Sequence, residues 1–219
     1  MQYKLIFFDL LGSLVDSSDH IWNIIHDYLG IDKEVRLKAL NDFKEGKLTY
    51  QEWVAHNVNL WADKGVTKDI LLQAIDGLTI REGALEVLQK LKNNHFRLVL
   101  MSGGLNFVFE KIFKQHQMLF DHIFINKLTF GNGNVIAGGT ATPFDMRLKA
   151  VGLRIIAQKE GVSLEKCVFI GNNKDDVEAA QIAGLSIAFN SRSQELSDAS
   201  NVQINSSNLM DILPYVMKE

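Results

Sequence analysis

Cysteine occurs once and proline twice in the 219 residues. The lone Cys167 lies inside the apolar run Cys167-Val168-Phe169-Ile170, which excludes a disulfide scaffold and a cysteine-ligated zinc site and reads as core in a reducing compartment. Charge of one sign is also lacking: 23 Lys and Arg stand against 26 Asp and Glu, a formal net charge of −3, and the basic residues are scattered. That distribution leaves no footprint for a nucleic-acid backbone or an anionic membrane, so neither is expected as a partner. No apolar run approaches the ~20 residues of a membrane-spanning helix, and Met1-Gln2-Tyr3-Lys4 leads directly into Leu5-Ile6-Phe7-Phe8-Asp9, too short and too soon acidic for a signal peptide. The expectation is a cytoplasmic protein. Repeats and low-complexity tracts are absent as well. With 47% hydrophobic and 22% charged residues, what remains is an ordinary globular chain. Its length lets it bury roughly 70% of its unfolded surface without a metal or disulfide staple.

Leu5–Phe8 is apolar at every position, the pattern of a central strand in a parallel sheet, and places Asp9 at its carboxyl end. From Ser18 to about Leu78 four short helices are expected. The first is capped by Ser18 and stopped by Gly30. The second runs from about Lys33 to Phe43, the third opens on the capping box Thr49…Glu52, and the fourth opens at Thr67 and stops at Gly77. Beyond Gly83 the pattern alternates: helix 84–93, strand 96–101, helix 107–114, strand 123–126. A hairpin follows around Gly131-Asn132-Gly133, then a helix from about 144 to 160, strand 167–170, helix 175–183, strand 185–189 and a last amphipathic helix 208–217. The Ser-rich stretch 190–208 reads as loop around a short strand at Val202–Ile204. The expected fold is α/β, a doubly wound parallel sheet, with residues 1–16 and 79–219 as core and 17–78 as an inserted helical cap.

Ligands of open parallel sheets bind beyond the strands' carboxyl ends. The residues there are Asp9, Ser102-Gly103-Gly104 and Gly171-Asn172-Asn173-Lys174-Asp175-Asp176, to which Lys149 is added. A carboxylate, a hydroxyl beside glycines, an ammonium and an acidic loop are the parts of a phosphoryl-transfer site. Each has a plainer reading too. Asp9 alone could be a loop carboxylate, Ser102-Gly103-Gly104 a tight turn, Lys149 a solvated side chain and the acidic loop a helix cap. The tryptophans, Trp22, Trp53 and Trp61, read as cap core or as the interface between cap and core, with a substrate-pocket wall as the alternative for Trp53, and of the histidines only His56, beside Asn57, is a candidate to face the site.

Taken in order, Phe7-Phe8-Asp9-Leu10-Leu11-Gly12-Ser13-Leu14-Val15-Asp16-Ser17, Ser102-Gly103-Gly104, Lys149 and Gly171–Asp176 resemble the four motifs of the haloacid dehalogenase superfamily, in its phosphoserine phosphatase branch. The likeness extends to Glu45-Gly46-Lys47-Leu48 and Ala183-Gly184-Leu185-Ser186-Ile187-Ala188-Phe189. It implies a small phosphorylated molecule as substrate and Asp9 as the nucleophile forming an aspartyl-phosphate. Ser102 with Gly103 and Gly104 would hold phosphate oxygens, and Lys149 would neutralise charge. The positions of Asp9, Leu11, Asn172 and Asp176 would hold Mg2+.

Two of those positions depart from the family pattern. Where the family has a proton-carrying Asp two residues after the nucleophile, this chain has Leu11, a loss that typically costs about 10²–10⁴ in rate. Where it has a metal-binding Asp, this chain has Asn172, a loss partly offset if Asp175 turns inward, and magnesium is expected to bind weakly. Aligned on Gly46-Lys47-Leu48, the cap arginine that would clamp a phosphoserine carboxylate falls on Asn57, and a neutral amide does not replace a guanidinium. The expectation is therefore an impaired phosphatase acting on a phosphomonoester other than phosphoserine, with Asn57 and His56 near the substrate. The alternatives are a nearly silent protein that binds a phosphorylated ligand or partner, and a metal-free dehalogenase-like hydrolase.

Overall fold

The computed structural model describes residues 3–144 and 146–217, without the side chain of Arg147. Strand β1 (Leu5–Phe8) is fully buried on both faces. Ile6 and Phe8 point into one apolar layer, Leu5 and Phe7 into the other, and that two-sided burial is why the run carries no polar residue. After the short strand β2 (Val15–Asp16) come the four helices α1 (Ile21–Tyr28), α2 (Lys33–Lys44), α3 (Tyr50–Ala62) and α4 (Lys68–Ala74), then strand β3 (Thr79–Ile80) and helix α5 (Ala84–Asn93). Strand β4 (Arg97–Leu105), helix α6 (Asn106–Phe113), strands β5 (His122–Phe130) and β6 (Ile136–Thr140), helix α7 (Lys149–Lys159) and strand β7 (Cys167–Gly171) follow. The chain ends with α8 (Val177–Ile182), β8 (Leu185–Phe189), α9 (Gln194–Ala199), β9 (Val202–Ile204) and α10 (Leu213–Val216).

The main sheet has seven strands in the order β6-β5-β4-β1-β7-β8-β9. All neighbours are parallel except β5 and β6, which form an antiparallel hairpin. The chain winds outward from β1 through β4 and β5 on one side and through β7, β8 and β9 on the other. The reversal therefore falls at β1, and the crevice of such a sheet opens beyond its end, where Asp9 stands.

In the helical segment the caps set the boundaries. Asp32 accepts from the backbone N–H groups of Glu34 and Val35, and Thr49 and Glu52 form a reciprocal capping box. The first cap falls at His20, not Ser18, and no side chain bonds the helix start there. β2 and β3 pair antiparallel where the chain leaves and re-enters this segment. Arg81, 5% exposed, ties that crossing to the core loop, its Nε donating to the Ser13 carbonyl and its Nη2 to the Gly12 carbonyl and Asp16 Oδ1.

Three further elements differ from the sequence reading. The helix expected from about 144 begins at Lys149 after a 3-10 turn at Met146–Leu148, and residue 145 lies outside the described residues. The final helix is a 3-10 turn at Leu209–Ile212 followed by the one-turn α10. The stretch expected to be loop contains α9, capped by the Ser193 hydroxyl and seated through Leu196 alone.

Candidate active site

A single lysine organises the buried centre. Lys149, the first residue of α7, is 4% exposed and donates from Nζ to Asp9 Oδ1 at 3.0 Å and to Asp176 Oδ1 at 2.7 Å. Asp176 is fully buried, and its Oδ2 accepts from the backbone N–H groups of Asn172 (2.9 Å) and Asn173 (3.0 Å). That carboxylate thus holds the loop after β7 in shape and anchors the lysine, which in turn presents its charge to Asp9. The Asp9 N–H is itself pinned to the Ile170 carbonyl at 3.0 Å, fixing β1's end against β7.

Asp9, Ser102, Gly103, Gly104 and Lys149 all line one cavity of ≈ 60 Å³. The Ser102 hydroxyl, 2% exposed, accepts from the Gly104 N–H at 3.1 Å. The opposite wall comes from the helical segment: Asp19, His20, Trp22 and Trp53. Two hydrogen bonds join the walls, from Trp22 Nε1 to the Gly103 carbonyl at 3.1 Å and between Asn173 Nδ2 and His20 Nε2 at 3.0 Å. Leu11, Ile21, Met146, Asp175 and Arg192 also line the cavity. Burial pushes the Asp175 carboxyl up from its ordinary value; the Lys149 and His20 charges draw it back, while Asp176 and Asp9 add to the rise. Arg192 is held at the mouth by its N–H on the Asn172 carbonyl and its Nη2 on the Ser17 carbonyl.

The structure does not bring Asn57 and His56 to this lining. Asn57, 1% exposed, sits in a buried chain: its Nδ2 donates to the Trp53 carbonyl, its Oδ1 lies 2.8 Å from His26 Nε2, and Trp61 Nε1 donates to His26 Nδ1. Burial lowers His26 to about 4, so the imidazole is neutral and donates to Asn57. His56 has a buried Nε2 with no hydrogen-bond partner among the described residues. Asp19, His20 and Arg192, by contrast, line the cavity and were not singled out from the sequence. His20 and Asp19 follow Ser18 in the expected cap region, but nothing local marks a cap residue as facing inward.

Among the positions expected to hold Mg2+, the donors present do not make a tight divalent site. Leu11 brings no side-chain oxygen, and both oxygens of Asp176 are spent on Lys149 and backbone N–H groups. The amide of Asn172, 1% exposed, has neither Oδ1 nor Nδ2 partnered among the described residues. It packs over Gly12 so closely that a Cβ there, at φ +90°, would lie 1.8 Å from Nδ2. Asp9 remains the one carboxylate facing the cavity from this set, and an ammonium stands 3.0 Å from it. The described residues contain no group of three or more His, Cys, Asp or Glu placed to hold a metal ion. Magnesium requires octahedral, preferably anionic oxygen ligands.

A carboxylate at the reversal point of the sheet, a serine-glycine turn beside it and a lysine bridging two buried carboxylates define a class, and residues 3–184 match the family model of the haloacid dehalogenase-like hydrolases. The chain belongs to that family. Within it the chain resembles phosphoserine phosphatases over its whole length: it is 30% identical over 213 residues to the phosphoserine phosphatase of Methanocaldococcus jannaschii, covering 97% of each chain. It is 24% identical to that of Lactococcus lactis, over 96% of this chain and 88% of the relative. A solved structure described as a phospho-aspartyl intermediate analogue of phosphoserine phosphatase superposes with a TM-score of 0.75 at 29% identity, covering 99% of this chain and 100% of the other. No described helix is long and apolar enough to cross a membrane.

Proposed function

We propose that this protein hydrolyses a small phosphomonoester through an aspartyl-phosphate on Asp9. The observation that carries the reading is the Asp9–Lys149–Asp176 chain opening onto the cavity that also holds Ser102 and Gly103. An Asp9 oxygen attacks phosphorus, the bond from phosphorus to the ester oxygen breaks, and the alcohol leaves. Water then attacks the acyl phosphate, releasing inorganic phosphate and restoring the carboxylate. Lys149 holds the Asp9 carboxylate in place and offsets the charge that gathers on the phosphoryl oxygens, and Ser102 orients those oxygens. Residues 17–78 act as the cap, excluding water by laying Trp22 and Trp53 against the core.

Phosphoserine does not suit this site, because the aligned clamp position is Asn57, a neutral amide tied to His26 and away from the cavity lining. Leu11 favours a second reading, a ligand-binding protein with little turnover, since leucine moves no proton. A panel of phosphomonoesters, assayed with magnesium, with manganese and with chelator, decides between them. We expect turnover with a phosphorylated Asp9 trapped by mass spectrometry and none in Asp9→Asn; parent-like activity in Asp9→Asn would overturn the assignment.

A further inference from the structure

Outside the inner cavity lies a second chamber of ≈ 670 Å³, and the two share His20, Trp22, Trp53, Met146, Asn173 and Asp175. The inner space holds little beyond a phosphoryl group, so the alcohol part of a bound ester must extend into the outer one. The part of the outer wall built by α1, α2 and α3 consists of Trp22, Leu40, Phe43 and Trp53, three of them aromatic, with Asn23 and Lys44 beside them. Its rings are locked together, Trp22 to Trp53 at 4.9 Å edge-on and Trp53 stacked on Tyr50 at 5.8 Å. Trp53 is 6% exposed, and its Nε1 is a buried donor without a partner among the described residues, although the ring lines both spaces.

Independently of the wall, no proton donor for the departing oxygen stands two residues after Asp9, where Leu11 lines the cavity. An alkoxide leaves badly without a proton, because its conjugate acid is, like water, a far weaker acid than a phenol. A phenoxide, whose conjugate acid has a pKa of about 10, leaves far more readily unaided.

We propose that the substrates are aryl phosphomonoesters, whose flat apolar leaving group occupies the chamber walled by Leu40, Phe43 and Trp53 and departs as a phenoxide. The inference rests on the aspartyl-phosphate reading above and names its substrate class. In the first step the Asp9 oxygen-to-phosphorus bond forms as the phosphorus-to-aryl-oxygen bond breaks; the phenoxide keeps the electron pair and takes a proton from solvent. In the second, water cleaves the acyl phosphate to inorganic phosphate, a proton passing to solvent as the Asp9 carboxylate returns.

The test compares phenyl, 1-naphthyl, octyl and glycerol phosphates and phosphoserine. We expect kcat/KM to rise on the order of tenfold from phenyl to naphthyl, the gain of burying one more ring. The alkyl esters should fall at least ~10²-fold below naphthyl, octyl phosphate included, since it fills the chamber but leaves as an alkoxide. Leu40→Asn should shrink the naphthyl-to-phenyl ratio, and Leu11→Asp should narrow the gap between octyl and naphthyl. Octyl phosphate or phosphoserine turned over as fast as naphthyl phosphate would overturn the substrate class and leave the aspartyl-phosphate reading standing. If no ester is turned over, that reading fails, and binding decides the chamber: 1-naphthylmethylphosphonate should quench tryptophan fluorescence at a concentration at least ~10-fold below that needed for methylphosphonate. Equal binding of the two phosphonates would overturn the proposal.

Discussion

Lys149→Met removes the ammonium that bridges Asp9 and Asp176 among the described residues while keeping most of its volume. The side chains involved are 4%, 10% and 0% exposed, so water replaces little of the lost pairing. Breaking a buried ion pair by deleting one partner typically costs ~3–5 kcal/mol, because the remaining charge stays buried and uncompensated. For a chain of this length that is a drop of about 6–20 °C in Tm. The loss should depend on pH in a defined direction. With no cation between them, the two carboxylates of the variant repel, and a proton neutralising one of them binds the folded variant more tightly than the unfolded chain. The deficit therefore grows as pH rises and shrinks as pH falls. Thermal and urea unfolding of parent and variant at about pH 7.5 and about pH 5.5 measure it. A Lys149→Met protein within about 1 kcal/mol of the parent at the higher pH, with no recovery at the lower, would show that the bridge carries no such energy.

The double change Leu11→Asp with Asn172→Asp should raise magnesium-dependent phosphatase activity at least on the order of tenfold, by supplying a proton carrier and a metal carboxylate together; a folded double variant that binds magnesium and is no faster than the parent refutes this. Gly12→Ala should lower stability by at least ~2 kcal/mol, because φ is +90° and the new methyl meets Asn172, and a parent-like melting curve would contradict it. His26, lowered to about 4 by burial, binds a proton less tightly folded than unfolded, so its contribution is complete above about pH 6.5 and is lost as pH falls through about 4. His26→Gln should flatten that acid limb of the unfolding profile, and an unchanged limb would assign it to other groups.

The sheet was legible because β1, β7 and β8 are buried on both faces and so carry apolar runs, broken in β8 only by Ser186, and α3 and α4 announce themselves through Thr49 with Glu52, and Thr67. α9 was not, since a helix seated by Leu196 alone has no apolar stripe to display. The pairing of Val15 with Ile80 was equally hidden, because two-residue strands have no period. At the site, strand ends pointed to Asp9, Ser102 and Asn172–Asp176, and spacing pointed to Lys149. Asp19, His20 and Arg192 reach the cavity only through the way α1 and the Asn190–Ser193 turn lie against the core. Asn57 shares a helical stripe with Trp53, four residues earlier, yet bonds inward to His26, a choice made by packing and not by periodicity.

The ribbon of β2 and β3, stitched by Arg81, gives residues 17–78 a common point of departure and return. To the rest of the chain that long excursion is a loop already closed at its neck. The entropy of bringing β1 and β4 side by side is then governed by the neck, and depends only weakly, as the logarithm of length, on how many residues lie beyond it. Closure entropy therefore leaves the length of the segment past Asp16 open to change, while its packing stays tied to the sheet where Val58 of α3 meets Gly139 of β6 and the Ile136 N–H donates to the Val66 carbonyl.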